Sequence, residues 1–222
     1  MKSPAGQTPG PHDGEPALIA GTPIEHARAG AILVHGRGAD ARDILGLVPE
    51  IDPGAVAYAA PEAASHTWYP YSFLAPFAHN EPGISSGLRV LDALVNRFAA
   101  AGIPPERLLL LGFSQGVCLA LEYATRHARR FGAIAGLSGG LIGPPDTPRD
   151  YPGSFDGTPV FLGCGDADPH IPADRVVESG EVFTRMGAAV TQRLYPAMGH
   201  GINEDELAFV GGMLRVLAGS EP

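Results

Sequence analysis

One serine of this chain stands in the sequence pattern of a nucleophile. Ser114 is the centre of GFSQG, residues 112–116, which has the form G-x-S-x-G found where a serine occupies a tight turn between a strand and a helix. A serine hydroxyl is a weak nucleophile until a neighbouring base accepts its proton and a third group orients that base. A functional Ser114 therefore requires an acid and a histidine further along the chain.

The same pattern occurs a second time, as GLSGG at residues 136–140, with Ser138 at its centre. Both serines follow an apolar run, but only Ser114 is followed by a helical pattern, at residues 117–124. The residues after Ser138 are rich in glycine and proline and cannot continue as a stable helix. Because the amino end of a helix must face the reacting carbonyl, the pattern favours Ser114 and predicts a turn at a strand end for Ser138.

Three histidines follow Ser114, and one of them suits the role of base. His200 lies in the glycine-flanked loop MGHG, residues 198–201, between the last predicted strand and the last predicted helix. His127 lies among arginines and is interpreted as a solvated helix terminus. His170 is too close to the candidate acids on its own loop to bridge them to Ser114, and is interpreted as a supporting or surface residue.

The acid is expected after the strand near residues 159–163, where the chain continues as GDADPHIP. Asp166 and Asp168 both have a spacing that allows contact with His200, so the residues alone leave the choice open. An acyl-transfer transition state also needs two backbone amides for its oxyanion. Gln115 supplies one amide, and the loop HGRGA at residues 35–39 supplies the other.

Short apolar runs alternate with helical patterns along most of the chain. Runs typical of strands buried on both faces occur at residues 29–36, 56–60, 108–113, 133–137, 159–163 and 188–195. Helical patterns occur at residues 84–98, 117–124 and 176–187 and from Asn203 onwards. Alternating strands and helices imply parallel pairing, so the predicted fold class is α/β, a three-layer sandwich with a mostly parallel central sheet.

Composition and charge set the broad class. The chain has 222 residues, 45% of them hydrophobic, and a formal net charge of −9 without any run of Lys or Arg, which argues against a nucleic-acid partner. Residues 17–222 are expected to form a single domain and residues 1–16, rich in Pro and Gly, a flexible tail. No signal-like or membrane-spanning stretch is present, so no stable membrane insertion and a cytoplasmic location are expected. Cys118 and Cys164 are expected to be reduced.

Four motifs in this order carry a resemblance to a known family: HGRG at residues 35–38, GFSQG, DPHIP at residues 168–172 and GH at residues 199–200. The chain resembles the phospholipase/carboxylesterase family of α/β-hydrolases, which includes the acyl-protein thioesterases, from about Ala29 to the C-terminus. The resemblance implies an α/β-hydrolase sandwich that needs no metal or other cofactor. It implies that Ser114 is the nucleophile, Asp168 the acid and His200 the base. It also implies that the backbone amides of Arg37 and Gln115 bind the oxyanion. Val117 departs from the family pattern, where many members have a second glycine.

An aromatic stretch, residues 67–77, lies within an irregular segment that is long for a loop. We expect its side chains to line the substrate pocket, with Trp68 as the foremost contact and Tyr69, Tyr71 and Phe73 beside it. A second, proline-rich loop at residues 141–151 is expected to form the opposite wall.

The function expected from these features is a serine hydrolase of carboxylic esters, a carboxylesterase acting on a small-molecule substrate. The alternatives within the class are a thioesterase, a lysophospholipase-like enzyme and an amidase. A non-catalytic binding protein with a hydrolase fold and a metal-dependent hydrolase are the alternatives outside it, the latter using Asp166, Asp168, His170 and His200. The sequence does not determine the oligomeric state, and a homodimer stays open.

Overall fold

A central sheet of seven strands organises the protein, for which a computed structural model describes residues 9–219. The strands are β1 (Ala17–Gly21), β2 (Ala29–Val34), β3 (Val56–Pro61), β4 (Leu108–Phe113), β5 (Ala133–Leu137), β6 (Pro159–Gly165) and β7 (Ala189–Tyr195). Their order across the sheet is β1-β3-β2-β4-β5-β6-β7. Only the β1–β3 pair is antiparallel in the described part of the chain. The mostly parallel sheet predicted from the sequence is confirmed.

Helices cover both faces of the sheet and complete the three predicted layers. They are α1 (Ala41–Leu45), α2 (Val48–Ile51), α3 (Gly83–Ala100), α4 (Gln115–Arg126), α5 (Ala173–Arg185) and α6 (Glu204–Ala218). Helices α3, α4 and α5 contribute to one buried cluster, and α1, α2 and α6 to another. The inner strands therefore lie between two apolar layers, which explains why their sequences are continuous apolar runs.

The parallel register brings the chemically active segments to one edge of the sheet. Val34 at the end of β2 pairs with Gly112 near the end of β4, and Phe113 pairs with Leu137 at the end of β5. Gly165 at the end of β6 pairs with Tyr195 at the end of β7. The loops that follow these strands contain HGRGA, both serine motifs, the two aspartates and the histidine. They meet because carboxyl ends of parallel strands lie at the same edge.

Three elements are absent from the sequence-based prediction. Strand β1 lies at the edge of the sheet and is mostly half-buried or exposed, so its sequence lacks the continuous apolar run of the inner strands. Helices α1 and α2 have only five and four residues, too few for a helical period to be visible. The predicted strand at residues 29–36 ends earlier, at Val34, where the glycine-rich loop begins.

The expected flexible tail is only partly within the described residues. Residues 1–8 lie outside them, but the segment from residue 9 to 16 is packed on the domain. His12 is 2% exposed, its backbone amide donates to Ser86 Oγ at 3.0 Å, and Asp13 pairs with Arg89 at 3.3 Å. The expectation of a free tail is therefore wrong for residues 9–16, because an embedded histidine and an ion pair hold this segment in place.

Two glycines of the second serine motif make room for Val117. A Cβ at Gly139 would collide with Val117 Cγ1, and a Cβ at Gly136 would lie 2.9 Å from Val117 Cγ2. Val117 is fully buried at the start of α4, beside the GFSQG turn. Val117, where many members of the family have glycine, therefore fits because Gly136 and Gly139 have no side chains that would occupy the same space.

No helix of residues 9–219 is both long and apolar enough to cross a membrane. Cys118 and Cys164 are buried and unpaired, as expected.

Gly139→Ala should destabilise the protein by about 1–3 kcal/mol, because the added methyl overpacks the contact with Val117. The double variant Gly139→Ala/Val117→Ala should be more stable than the sum of the two single effects, by roughly 0.5–3 kcal/mol, because the shortened side chain removes the collision. Urea unfolding of the four proteins in this cycle measures both quantities. Additive effects would show that the two residues do not compete for space.

Candidate active site

The turn at Ser114 has the backbone conformation of a strained nucleophile elbow. Ser114 has φ 54° and ψ −121°, in the left-handed half of conformational space that residues with a Cβ avoid. Gly116 allows the turn to lie against β2, since a Cβ there would collide with the carbonyl oxygens of Val34 and His35. Gly112 likewise allows β4 to approach Val117, whose Cα and nitrogen would lie 2.5 Å from an added Cβ.

Three side chains from three separate loops form one hydrogen-bonded row. Ser114 Oγ lies 2.9 Å from His200 Nε2, and His200 Nδ1 lies 2.7 Å from Asp168 Oδ2. The His200 ring also contacts the ring of Phe113 at a centroid distance of 5.0 Å and meets the ring of His170 edge-on at 5.0 Å. In the tautomer that donates from Nδ1 to the carboxylate, Nε2 is free to accept the serine proton.

Asp168 is buried and is held as a carboxylate by hydrogen bonds. Its other oxygen, Oδ1, accepts from the backbone amides of His170 at 2.8 Å and Ile171 at 3.0 Å. Burial acts to raise the pKa of Asp168, but the hydrogen bonds from His200 and from the two amides outweigh it and the net effect lowers that pKa. The acid therefore stays ionised beside the imidazole.

The sequence left Asp166 and Asp168 as alternatives, and the structure separates them. Asp166 is exposed and its Oδ1 accepts from the amide of Ala197 at 2.7 Å, so it stabilises the loop before His200 and does not contact the imidazole.

Among residues 9–219, no three or more His, Cys, Asp or Glu side chains are grouped closely enough to hold a metal ion.

Among the backbone amides of the segments that meet at Ser114, two that belong to cavity-lining residues donate no hydrogen bond within the described part of the chain. They belong to Arg37 and to Gln115, the first residue of α4. Gly36 brings the first loop close to the serine, since a Cβ there would lie 3.3 Å from Ser114 Cβ. Unpaired amides beside a serine hydroxyl are suited to bind an oxygen that gains negative charge.

A cavity of about 440 Å³ opens beside Ser114 and His200. The aromatic stretch contributes Tyr69, Tyr71 and Phe73 to its wall. Its remaining wall residues are Arg37, Pro70, Ser72, Gln115, Cys118, His170 and Ile171. The expected opposite wall from residues 141–151 is not there. That loop contacts the aromatic stretch but contributes no residue to the wall, and the amide of Gly143 donates to the carbonyl of Phe73 at 2.7 Å.

Trp68 does not line the cavity, contrary to the expectation from the sequence. Its side chain is fully buried, and its indole N–H donates to the carbonyl of His35 at 2.9 Å. Its backbone amide donates to Gln115 Oε1 at 2.9 Å. Trp68 thus anchors the aromatic stretch to both segments that carry the unpaired amides.

Comparison with known proteins shows the family and the fold of the chain. The model of the family described as Phospholipase/Carboxylesterase matches residues 19–218. The chain belongs to the phospholipase/carboxylesterase family. A crystal structure of a phospholipase/carboxylesterase from Dyadobacter fermentans has 41% sequence identity and a TM-score of 0.87, covering 90% of this chain and 96% of that one. This likeness confirms the α/β-hydrolase fold.

More distant relatives differ in their printed names. An acyl-protein thioesterase 1 from Gibberella zeae is 32% identical over 142 residues, which cover 60% of this chain and 57% of the relative. The chain spans about half the length of the curated relatives that it matches. The crystal structure of esterase PE8, with 24% identity, a TM-score of 0.75 and coverage of 91% and 98%, shares the fold.

The side chains of Arg37 and Gln115, the two residues with unpaired backbone amides, also hold the aromatic stretch by hydrogen bonds. The Arg37 guanidinium donates to the carbonyls of Tyr69, Pro70 and Tyr71 at 2.7–2.9 Å. The side-chain amide of Gln115 donates to the carbonyl of Tyr69 at 2.8 Å. The cavity wall and the pair of unpaired amides are therefore parts of one hydrogen-bonded unit.

His12, a residue that the sequence patterns did not indicate, also holds this unit in place by hydrogen bonds. Its Nε2 donates to the carbonyl of Trp68 at 2.8 Å, while its Nδ1 accepts from the amide of Ala64 at 3.1 Å. The second contact requires an unprotonated Nδ1, so the contact set fits only the neutral imidazole. Burial lowers the pKa of His12, although the hydrogen bond to Trp68 and the nearby Glu15 and Asp13 oppose it.

Stability should decrease as the pH falls below about 6.5, the ordinary histidine pKa, and His12→Gln should reduce this dependence. Because the folded-state pKa of His12 is lowered, the unfolded chain binds the proton first, so acid favours unfolding in the interval between the two pKa values. Urea unfolding of both proteins at neutral pH and near the lower end of that interval measures the effect. An equal loss of stability in both would exclude His12 as its source.

Proposed function

We propose that this protein hydrolyses carboxylic esters through an acyl-enzyme formed on Ser114. The observation that carries the proposal is the continuous row Ser114–His200–Asp168 beside two unpaired amides and a cavity. Membership of the phospholipase/carboxylesterase family supports the same reaction class. A non-catalytic binding protein would not require the strained serine, the oriented imidazole and the free amides together.

The proposed reaction follows from which atoms face each other. His200 Nε2 accepts the proton of Ser114 Oγ as this oxygen attacks the ester carbonyl, and Asp168 holds the resulting imidazolium. The carbonyl oxygen becomes an oxyanion that binds the amides of Arg37 and Gln115. Collapse of the tetrahedral intermediate expels the alcohol, which takes the proton from His200. Water, which passes a proton to His200, then attacks the carbonyl of the acyl-enzyme. The acid is released as Ser114 Oγ leaves and takes the proton back from His200.

The cavity supports a short or medium acyl group. Five of its wall residues are at most 7% exposed and belong to the packed interior, which limits the space for the acyl group: Tyr69, Phe73, Gln115, Cys118 and Ile171. Burial raises the pKa of Cys118 to about 11, so its thiol is neutral and serves as a wall atom and not as a nucleophile. A thioester is the second candidate substrate, because a relative is named acyl-protein thioesterase 1.

Nitrophenyl esters from acetyl to palmitoyl should be hydrolysed with a preference for the shorter chains. Ser114→Ala should lower kcat by roughly 10⁴- to 10⁶-fold, because the nucleophile is lost. Asp168→Asn should lower it by about 10⁴-fold, because an amide favours the wrong imidazole tautomer. Release of nitrophenol under saturating substrate measures each value.

Asp166→Asn is the matched control for the acid, since it removes a neighbouring charge but keeps an oxygen for the amide of Ala197. It should lower kcat far less than Asp168→Asn. Full turnover by Ser114→Ala would refute the proposal. Faster hydrolysis of an acyl-coenzyme A thioester than of the ester with the same acyl group would replace the ester by the thioester as the substrate class.

A further inference from the structure

Ser138, the centre of the second G-x-S-x-G motif, has a buried side chain that the proposed reaction does not use. It lies immediately after β5, and its amide donates to the carbonyl of Gly163 at 2.8 Å. Its φ of 52° is in the left-handed region. From there its hydroxyl donates to the carbonyl of Gly201 at 3.0 Å, the residue next to His200.

The contact matters because the backbone of this part of the histidine loop has few other hydrogen-bond partners, although the His200 ring itself is held by Asp168 and Ser114. Within residues 9–219, the bond from Ser138 is the only hydrogen bond made by the backbone of residues 199–202. A Cβ at Gly199 or at Gly201 would meet no atom within 4 Å, so no neighbour packs against that side of either glycine, although the carbonyl oxygen of Gly199 lies close to Gly165. Glycine also has the largest conformational freedom to lose.

The loop is fixed firmly on both sides of this stretch. On the earlier side, Ala197 is held by Asp166, and the amide of Ala167 donates to the carbonyl of Met198 at 3.1 Å. On the later side, Asn203 caps α6 through a reciprocal pair of hydrogen bonds with Glu206. Residues 199–202 thus bridge two anchors. Between them, Ser138 holds the backbone at Gly201, and Ile202 packs against the apolar cluster that includes residues of α6.

We propose that Ser138 is a positioning residue for the reaction, which holds the His200 imidazole in line with Ser114 and Asp168 through the carbonyl of Gly201. The inference rests on the proposed function of the same site. Ser138 is not part of the cavity wall, so its hydroxyl acts on proton transfer and not on substrate binding.

Two variants separate the hydroxyl from the backbone strain. Ser138→Ala removes the hydroxyl and keeps a Cβ at positive φ, whereas Ser138→Gly removes the hydroxyl and also relieves the strain. Both should lower kcat by roughly 10- to 100-fold, because a base displaced by a fraction of an ångström transfers its proton poorly. KM should stay within about twofold of the wild-type value.

Thr125→Val is the matched control, since it removes another buried hydroxyl, one that bonds carbonyls of its own helix at the far end of α4. It should change stability without lowering kcat. Recovery of kcat in Ser138→Gly but not in Ser138→Ala would assign the effect to backbone strain and overturn the proposal. So would wild-type kcat in both variants.

A measurement that needs no turnover separates this inference from the proposed function. Proton NMR of protein labelled with ¹⁵N-histidine should show the Nδ1 proton that His200 shares with Asp168, identified by its loss in Asp168→Asn. This resonance should broaden or shift in both Ser138 variants and persist in Thr125→Val. An unchanged resonance would overturn the positioning role, even if the wild-type protein hydrolysed no ester.

Discussion

The close approach of β2, β4 and α4 at the Ser114 turn is the constraint on which the rest of the site depends. Gly116 has no Cβ and therefore lies against the carbonyls that end β2, and Gly112 lies against the first turn of α4. At this contact Ser114 adopts a positive φ, and its hydroxyl lies within hydrogen-bond distance of His200. The strain costs free energy that the buried layers on both sides offset.

The same approach brings the two unpaired amides together. Arg37 follows β2 and Gln115 begins α4, so packing β2 against the turn brings both residues to the wall of the cavity that contains Ser114. Their side chains then extend to the aromatic stretch and hold it as a cavity wall. The backbone amides of Arg37 and Gln115 stay unpaired, whereas their side chains form hydrogen bonds to the aromatic stretch. These side-chain bonds explain how a long irregular segment is held in one conformation.

Local sequence patterns predicted which segments carry the candidate site residues, but not the contacts that these residues make. The helix after Ser114 and the glycines after Ser138 already distinguished the two serines, because helix formation depends on neighbouring residues. The spacing of Asp166 and Asp168 could not show which aspartate contacts His200, because only the folded loop directs Asp168 towards the imidazole and leaves Asp166 exposed. Trp68 was expected in the pocket, but aromatic character does not reveal which side of a loop faces the core. His12 was missed because a short polar segment gives no period.

Mapping of a fluorophosphonate adduct tests the central claim most directly, because this probe reports a serine made nucleophilic by its surroundings. The folded protein should take up one adduct per chain, on the peptide that contains Ser114, and Ser114→Ala should take up none. The Ser138→Ala variant should still be labelled at Ser114. An adduct on the peptide containing Ser138, or no adduct on the folded wild-type protein, would contradict the assignment of Ser114 as the nucleophile.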